Sequence, residues 1–173
     1  MNWAQWMLAA WVLAAGAAQA QPPKPTIQVQ ITSRAEAYAG TVFGEVGPYE
    51  KLTGIARLQI DPTAPANTGV VDLDKAPRNA LGLVDYDVDL VILRPRDPKK
   101  AGRVMIYDVV NRGRMTTLAT YAGPDGVHLD RAIDPRAAFA LQRGYTLVFS
   151  GWQGDVAGPG MIGARFPIAT DKG

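Results

Sequence analysis

Cysteine is absent from the 173-residue sequence, and histidine occurs once, as His128. The missing cysteines exclude disulfides, thiolate zinc sites, iron–sulfur clusters and cysteine nucleophiles. Serine occurs only twice, as Ser33 and Ser150. Because a serine hydrolase brings a serine, a histidine and a carboxylate together, this chain can hold little of a complete hydrolytic site.

An excess of one charge is missing too. Eighteen Lys and Arg residues face 16 Asp and Glu, and the formal net charge is +2. The longest basic run is the pair Lys99-Lys100, whereas nucleic-acid-binding proteins concentrate positive charge on one surface. We therefore expect no nucleic-acid partner. The apolar content of 47% excludes a disordered chain, and the length corresponds to one ordinary domain.

The N-terminal residues are typical of an export signal. An apolar run at residues 6–18 is too short to span a bilayer as a helix, and it ends in the A-x-A pattern of a cleavage site at residues 18–20. We predict a cleaved signal peptide at 1–20, an extended leader at 21–26, and a periplasmic or secreted product without a stable membrane span. No Lys or Arg precedes the run, so an uncleaved anchor and a buried N-terminal helix remain alternatives.

Residues 27–95 alternate between apolar and polar side chains with a period of two. This pattern predicts half-buried strands in a mainly antiparallel sheet with one face in water. A third strand is expected at 84–93, where Arg94-Pro95 ends it. The apolar positions of the first two predicted strands are Ile27, Val29, Ile31, Leu52, Ala56, Leu58 and Ile60.

Residues 103–155 follow a different pattern. Residues 104–110 are almost uniformly apolar, as expected of a strand that is covered on both faces, and residues 145–150 read as a second buried strand. The segment between them is long enough for one crossover, so we predict a βαβ unit with two parallel strands. A short strand is expected at 166–169.

The predicted crossover helix covers residues 136–143. Asp134 is a favourable N-cap, and Pro135 occupies the first helical position, where its missing N–H does no harm. Gly144 follows the last helical residue, where helices commonly end.

The candidate site lies where the two predicted parallel strands end, because ligands of open α/β sheets gather at the carboxyl ends of the strands. Backbone N–H groups in such loops can hold a developing oxyanion. The structural alternative is a tight turn with a surface arginine. The candidate residues are Asn111, Arg112 and Gly113 after the first strand, and Ser150, Gly151 and Trp152 at the end of the second.

Ser150 is not expected to be a nucleophile. A nucleophile elbow has the pattern G-x-S-x-G, and here Val148 and Trp152 occupy the glycine positions. His128 lacks a serine partner in its own stretch and is expected to be a solvated loop residue. We therefore assign no catalytic residue within this chain.

Two acidic groups are interpreted structurally. Metal loops place their oxygen ligands on a bend, whereas three of the acids fall on one face of a flat strand. No spacing typical of a nucleotide-binding loop follows either buried strand. We expect neither a metal site nor a cofactor. The acids are Asp85, Asp87 and Asp89 on the strand, and Asp72 and Asp74 in a turn with salt bridges.

Five ordered blocks point to a known family. They are 43–52 (FGEVGPYEKL), 70–79 (VVDLDKAPRN), 92–95 (ILRP), 111–113 (NRG) and 143–145 (RGY) followed by 150–152 (SGW). Together they resemble the N-terminal part of a family of exported bacterial proteins, the α/β-hydrolase domain-containing proteins. The resemblance covers the chain from about Ile27 to Gly173.

The resemblance implies the N-terminal part of an α/β-hydrolase fold, as an incomplete domain. The strand that ends at Val110 then resembles the one that leads into the oxyanion loop, and residues 111–113 take the place of an H-G-G-G-type motif. The chain order Ser…Asp/Glu…His puts the triad after this segment. We thus expect a fragment of an exported serine hydrolase for small acyl or ester substrates, inactive alone.

Two alternatives remain. Residues 27–93 can instead be a non-enzymatic β-rich module that binds a ligand or caps a larger enzyme. A membrane-anchored scaffold is the other, and it depends on an uncleaved N-terminus. The sequence says nothing about the oligomeric state.

Overall fold

The computed structural model describes residues 24–156 and 158–170, which form a mixed α/β structure with one six-stranded sheet and few helices. The predicted signal peptide and the start of the leader lie outside these residues. The strands are β1 (Ile27–Glu36), β2 (Tyr49–Ile60), β3 (Val84–Pro95), β4 (Met105–Val109), β5 (Thr146–Ser150) and β6 (Ala164–Arg165). The α-helices are α1 (Leu118–Ala122) and α2 (Phe139–Gln142), and short 3₁₀ turns occur in the connections.

The strand order is β1-β2-β3-β5-β4, and β6 pairs with the other end of β3. The pairs β1–β2, β2–β3, β3–β5 and β3–β6 are antiparallel. The pair β4–β5 is parallel, and its register sets Met105 beside Thr146 and Val109 beside Ser150. The predicted parallel neighbours are therefore confirmed.

The connection between β4 and β5 contains shorter helices than the sequence predicts. In place of one helix at 136–143 there is a 3₁₀ turn, Pro135–Ala137, followed by α2. The predicted cap forms: the Asp134 side chain accepts a hydrogen bond from the Arg136 N–H at 2.9 Å. Gly144 follows the helix with a φ of 71°, so the helix ends as predicted.

One face of the sheet carries the core. Three buried aromatic rings pack edge to face: Tyr38 and Phe43 of the β1–β2 connection at a centroid distance of 5.8 Å, and Phe43 and Tyr49, the first residue of β2, at 5.5 Å. The Tyr49 hydroxyl donates to the carbonyl oxygen of Tyr145 at 2.8 Å, so this cluster joins β2 to the start of β5. Leu141 of α2 and Leu147 of β5 belong to the same core.

Two predicted burial patterns are wrong. β4 is an edge strand, and its Met105, Tyr107 and Val109 are at least half exposed, although its composition suggested cover on both faces. β1 is the opposite edge, and all ten of its residues are exposed, Ile27 at 70%. In both strands the exposed apolar side chains share the face of the sheet that lies opposite the core.

The last strand also lies elsewhere than predicted. β6 consists of Ala164 and Arg165, which pair with Val88 and Asp87, and the predicted strand at 166–169 does not form. Pro167 has no N–H to donate to a sheet ladder. Among the residues covered by the structure, no helix is long and apolar enough to cross a membrane.

Candidate functional site

The face of the sheet opposite the core forms an apolar groove of about 900 Å³. Its floor consists of alternate residues of five strands, because side chains two apart in a strand point to the same side. The floor residues are Ile27 and Val29 of β1; Ala56, Leu58 and Ile60 of β2; Val84, Tyr86, Val88, Leu90 and Ile92 of β3; Val148 and Ser150 of β5; and Met105, Tyr107 and Val109 of β4.

Two segments form the walls of this groove. One is the stretch 70–76 in the β2–β3 connection, and the other is the stretch 166–169 after β6. One hydrogen bond joins the two walls: the N–H of Thr170, the residue after the second wall, donates to the carbonyl oxygen of Lys75 in the first wall at 3.4 Å. The Phe166 ring packs on Tyr86 of the floor at 5.6 Å. The groove is therefore concave and has an aromatic rim.

Two hydroxyl groups, from Tyr107 of β4 and Ser150 of β5, lie next to each other on the floor of the groove. Tyr107 and Ser150 share a hydrogen bond of 2.6 Å between Oη and Oγ. Ser150 is 3% exposed, whereas Tyr107 is 56% exposed. Trp152, next to them at the rim, donates its indole N–H to the carbonyl oxygen of Val110 at 2.9 Å, so the ends of the two parallel strands are held together.

The loop after β4 is a tight turn. The Arg114 N–H donates to the carbonyl oxygen of Asn111 at 3.1 Å, and the two central residues, Arg112 and Gly113, have φ values of 49° and 73°. Two positive φ angles in this position are typical of a type I′ turn. An arginine in the left-handed region costs roughly 1–2 kcal/mol, so its neighbours must hold it there.

The loop after β5 supplies those neighbours. The Arg112 N–H donates to Oε1 of Gln153 at 2.8 Å, and its guanidinium donates to Asp155 at 2.7 Å. The hydrogen bond from the guanidinium lowers the pKa of Asp155 below its usual value. The Ile162 N–H donates to the carbonyl oxygen of Gly113. The two strand-end loops therefore form one connected unit.

Asp89 of β3 anchors this unit to the sheet. Its N–H donates to the carbonyl oxygen of Gly163 at 2.9 Å, and its own carbonyl oxygen accepts from the Gly151 N–H at 3.0 Å. Its carboxylate accepts from the Gly163 N–H at 3.0 Å and from Arg165 at 2.8 Å. One residue thus fixes both ends of the segment that follows β5.

The structure brings the two groups of predicted site residues together. Asn111, Arg112 and Gly113 lie beside the segment that begins with Ser150, Gly151 and Trp152, as the parallel pairing requires. His128 is exposed in a loop whose next residue, Leu129, packs against the core. Ser150 lines the groove on the other face, so Ser150 and His128 do not form a catalytic pair.

Three of the acidic residues, Asp72, Asp85 and Asp89, have structural partners. Asp85 accepts hydrogen bonds from Gln59 and Asn79 at 2.9 and 2.8 Å. Asp72 forms a salt bridge of 3.1 Å with Lys75. Within 24–156 and 158–170 no three His, Cys, Asp or Glu residues are close enough to hold a metal ion.

Sequence reasoning missed the anchoring role of Asp89 and the groove. Asp89 was grouped with two other acids as one wet strand face, but its partners lie more than 60 residues away in the chain. The sequence feature that corresponds to the groove is the set of apolar residues in β1 and β4. The structure leaves these side chains exposed on one common face of the sheet.

Comparison of the chain with known proteins finds no matching family model, no similar curated protein and no similar solved structure.

Proposed function

We propose that this chain is the N-terminal part of an exported serine hydrolase of the α/β type that acts on carboxylic esters or related acyl compounds, and that it is inactive alone. The main support is the joining of the two strand-end loops. Arg112 is held at a positive φ by Gln153 and Asp155, at the carboxyl ends of the parallel pair, where α/β enzymes bind their ligands.

The proposed role of residues 111–113 is to stabilise an oxyanion. An N–H donor that is fixed before the reaction lowers the barrier of acyl transfer by about 3 kcal/mol. The Arg112 N–H already donates to the amide oxygen of Gln153, which is a neutral carbonyl oxygen. In the proposed reaction the developing oxyanion replaces that oxygen, so the Gln153 side chain must turn away when an ester binds.

Ser150 has a different place in this proposal. It lies in extended β5 rather than on a strained strand-to-helix turn, and its hydroxyl is hydrogen-bonded to Tyr107. Neither feature resembles an activated serine, which needs a neighbouring base. The nucleophile, the acid and the histidine are therefore assigned to other parts of the proposed hydrolase.

The first test measures the 173-residue chain itself. We expect no turnover of p-nitrophenyl acetate above the buffer rate and no labelling by a fluorophosphonate, with identical results for Ser150→Ala. Turnover that disappears in Ser150→Ala would show that this chain is an enzyme with Ser150 as its nucleophile, and the proposal would be wrong.

The second test concerns the DNA that follows the Gly173 codon. We expect the reading frame, directly or after one frameshift, to encode G-x-S-x-G within the length of one further domain. The longer product should hydrolyse esters and react with the fluorophosphonate at that serine. An unrelated gene or a genuine stop codon at this point contradicts the proposal.

A second candidate function is a non-enzymatic module for binding or capping. The apolar groove favours it, because ligand sites are commonly concave and lined mainly by apolar side chains with a few polar groups. A fragment that is monomeric and unfolds cooperatively, together with a stop codon after Gly173, supports this candidate over the hydrolase.

A further inference from the structure

We propose that two copies of this chain form a dimer by pairing their β1 strands edge to edge, antiparallel about a twofold axis at Val29. The pairing joins the two six-stranded sheets into one. This inference goes beyond the proposed function, because it concerns the outer edge of the sheet and involves neither of the strand-end loops.

β1 leaves one edge of the sheet unpaired. It stands first in the strand order, so among residues 24–156 and 158–170 its only strand partner is β2. The Gln59 N–H donates to the carbonyl oxygen of Thr26 at 3.2 Å, and hydrogen-bonded pairs recur at every second residue of an antiparallel ladder. The even-numbered residues up to position 30 therefore bond to β2. The residues whose N–H and C=O groups face the open edge are Ile27, Val29 and Ile31.

The sequence at this edge is a palindrome. Residues 26–32 read TIQVQIT in both directions. Two such strands that run antiparallel, with the twofold axis at Val29, set every residue opposite an identical one, as the self-complementary surface of a twofold interface requires. Val29 then meets Val29 of the second copy, and Ile27 meets Ile31. Each of these pairs exchanges two main-chain hydrogen bonds, because the N–H and C=O groups face outward on both copies.

The side chains of the two strands match as well. On the side of the groove, Ile27 is 70% exposed and Val29 is 54% exposed. The pairing removes part of this apolar surface from water, which favours association. On the other side Gln28 lies opposite Gln30 of the second copy, and two carboxamides can pair because each both donates and accepts hydrogen bonds. Residues 26–32 carry no charge, so no like charges meet within the pair.

The ends of the palindrome limit the pairing. Pro25 has no N–H to donate, and a bulge between Ile31 and Ser33 shifts the register of β1. Exposed edges of natural sheets are commonly protected from pairing by charged residues or proline. β1 has neither between 26 and 32, whereas the opposite edge strand, β4, carries Asp108. Because both copies use the same edge, the assembly closes at two copies.

Sedimentation equilibrium of the 173-residue chain measures the assembly. One chain has a mass of 18.5 kDa, and we expect twice this mass at high concentration. A single pair of strands is a small interface, so the dissociation constant should lie at about 1–100 µM. A chain that keeps the mass of one copy at about 500 µM overturns the proposal.

Val29→Lys tests the centre of the pairing. It sets two ammonium groups opposite each other at the twofold axis, where like charges destabilise a cross-strand pair. We expect the dissociation constant to rise at least tenfold, with unchanged circular dichroism because Val29 is exposed in the single chain. The matched control is Val109→Lys in the other edge strand, at a side chain that is 50% exposed. The control should dimerise like the parent chain, and a dimer that survives Val29→Lys contradicts the proposal.

Single cysteines test the register. The chain contains no cysteine, so each introduced thiol can be followed alone. In Val29→Cys the new side chain lies opposite its own copy at a Cα distance of about 5.5 Å, which suits a disulfide. In Ile27→Cys the two copies of the new side chain lie four residues apart along the strands, about 14 Å, which no disulfide spans. Diamide, which takes up the two hydrogen atoms of a thiol pair, should therefore cross-link Val29→Cys at least tenfold faster than Ile27→Cys.

The double variant Ile27→Cys, Ile31→Cys should cross-link between copies, because its two positions lie opposite each other in the proposed register. Equal cross-linking of Val29→Cys and Ile27→Cys shows another register or random collision and contradicts the proposal. Masses that grow beyond two copies, and that are lost in Val109→Lys, show pairing between β1 and β4 of successive copies. This last result also rejects the twofold dimer.

Discussion

Replacing Gly151 with alanine tests how closely the strand-end loop is packed. A Cβ on Gly151 would lie 2.2 Å from the carbonyl oxygen of Gly163 and 2.4 Å from its carbonyl carbon. Both neighbours are backbone atoms, and Asp89 holds them in place through its hydrogen bonds to both glycines. No side-chain rotation can relieve this contact, so the two segments must separate.

The size of the effect follows from these contacts. Moving the Gly163 oxygen to an ordinary contact distance takes roughly 1 Å, and overpacking of this kind costs about 1–3 kcal/mol. The shift also stretches the hydrogen bonds that join Asp89 to Gly151 and Gly163, each with a net contribution of about 1 kcal/mol. We expect Gly151→Ala to lower the free energy of unfolding by about 2–4 kcal/mol.

Urea unfolding followed by circular dichroism measures this loss. The matched control is Gly69→Ala, because a Cβ at Gly69 meets nothing within 4 Å and its φ is not in the left-handed region. The control should stay within about 0.5 kcal/mol of the parent chain. If Gly151→Ala and Gly69→Ala unfold at the same urea concentration, the close approach of Gly151 to Gly163 is not a feature of the folded protein.

Two further predictions concern titratable groups. Burial raises the pKa of the Tyr38 and Tyr49 hydroxyls above the usual value of 10. The unfolded chain therefore ionises first, so the contribution of these hydroxyls to the free energy of unfolding is fully present below pH 10 and is lost as the pH rises further. Tyr49→Phe should lower the free energy of unfolding by about 1 kcal/mol at pH 7 and make its decrease above pH 10 less steep in urea unfolding. An equally steep decrease in Tyr49→Phe contradicts the argument. In Arg112→Gln the pKa of Asp155 should rise toward its ordinary value of 3.8, because the guanidinium hydrogen bond is its largest cause of lowering; an unchanged NMR titration of the Asp155 carboxyl is the contrary result.

The features that the sequence predicted correctly depend on local patterns. The alternation through Leu52 and Ala56 identified β2, and Arg94-Pro95 marked the end of β3 within two residues. The Asp134 cap and Gly144 marked the two ends of the predicted crossover helix, and a helical crossover between two strands predicts that the strands are parallel. Each of these signals lies within a dozen residues and reflects the chain's own hydrogen bonds and periodicity.

The features that were missed depend on distant contacts. The sequence predicts that residues 104–110 form a strand covered on both faces. In the structure β5 lies between β3 and β4, so β4 is an edge strand. Its Met105, Tyr107 and Val109 stay exposed, because no described segment packs over that face of β4. The apolar residues of β1 likewise predict a buried face that the described chain leaves open. The role of Asp89 requires Gly163 and Arg165, which no local pattern connects with it.

The order of the strands has a consequence for biosynthesis. β4 leaves the ribosome before β5, yet its hydrogen-bonded neighbour in the sheet is β5. The antiparallel β1–β2–β3 unit can assemble as soon as it is translated, whereas the apolar β4 must wait for roughly 40 more residues, a delay of a few seconds at ordinary elongation rates. During this interval Met105–Val109 has neither its partner nor a place beside β3, so it is an unpaired apolar strand that is open to aggregation.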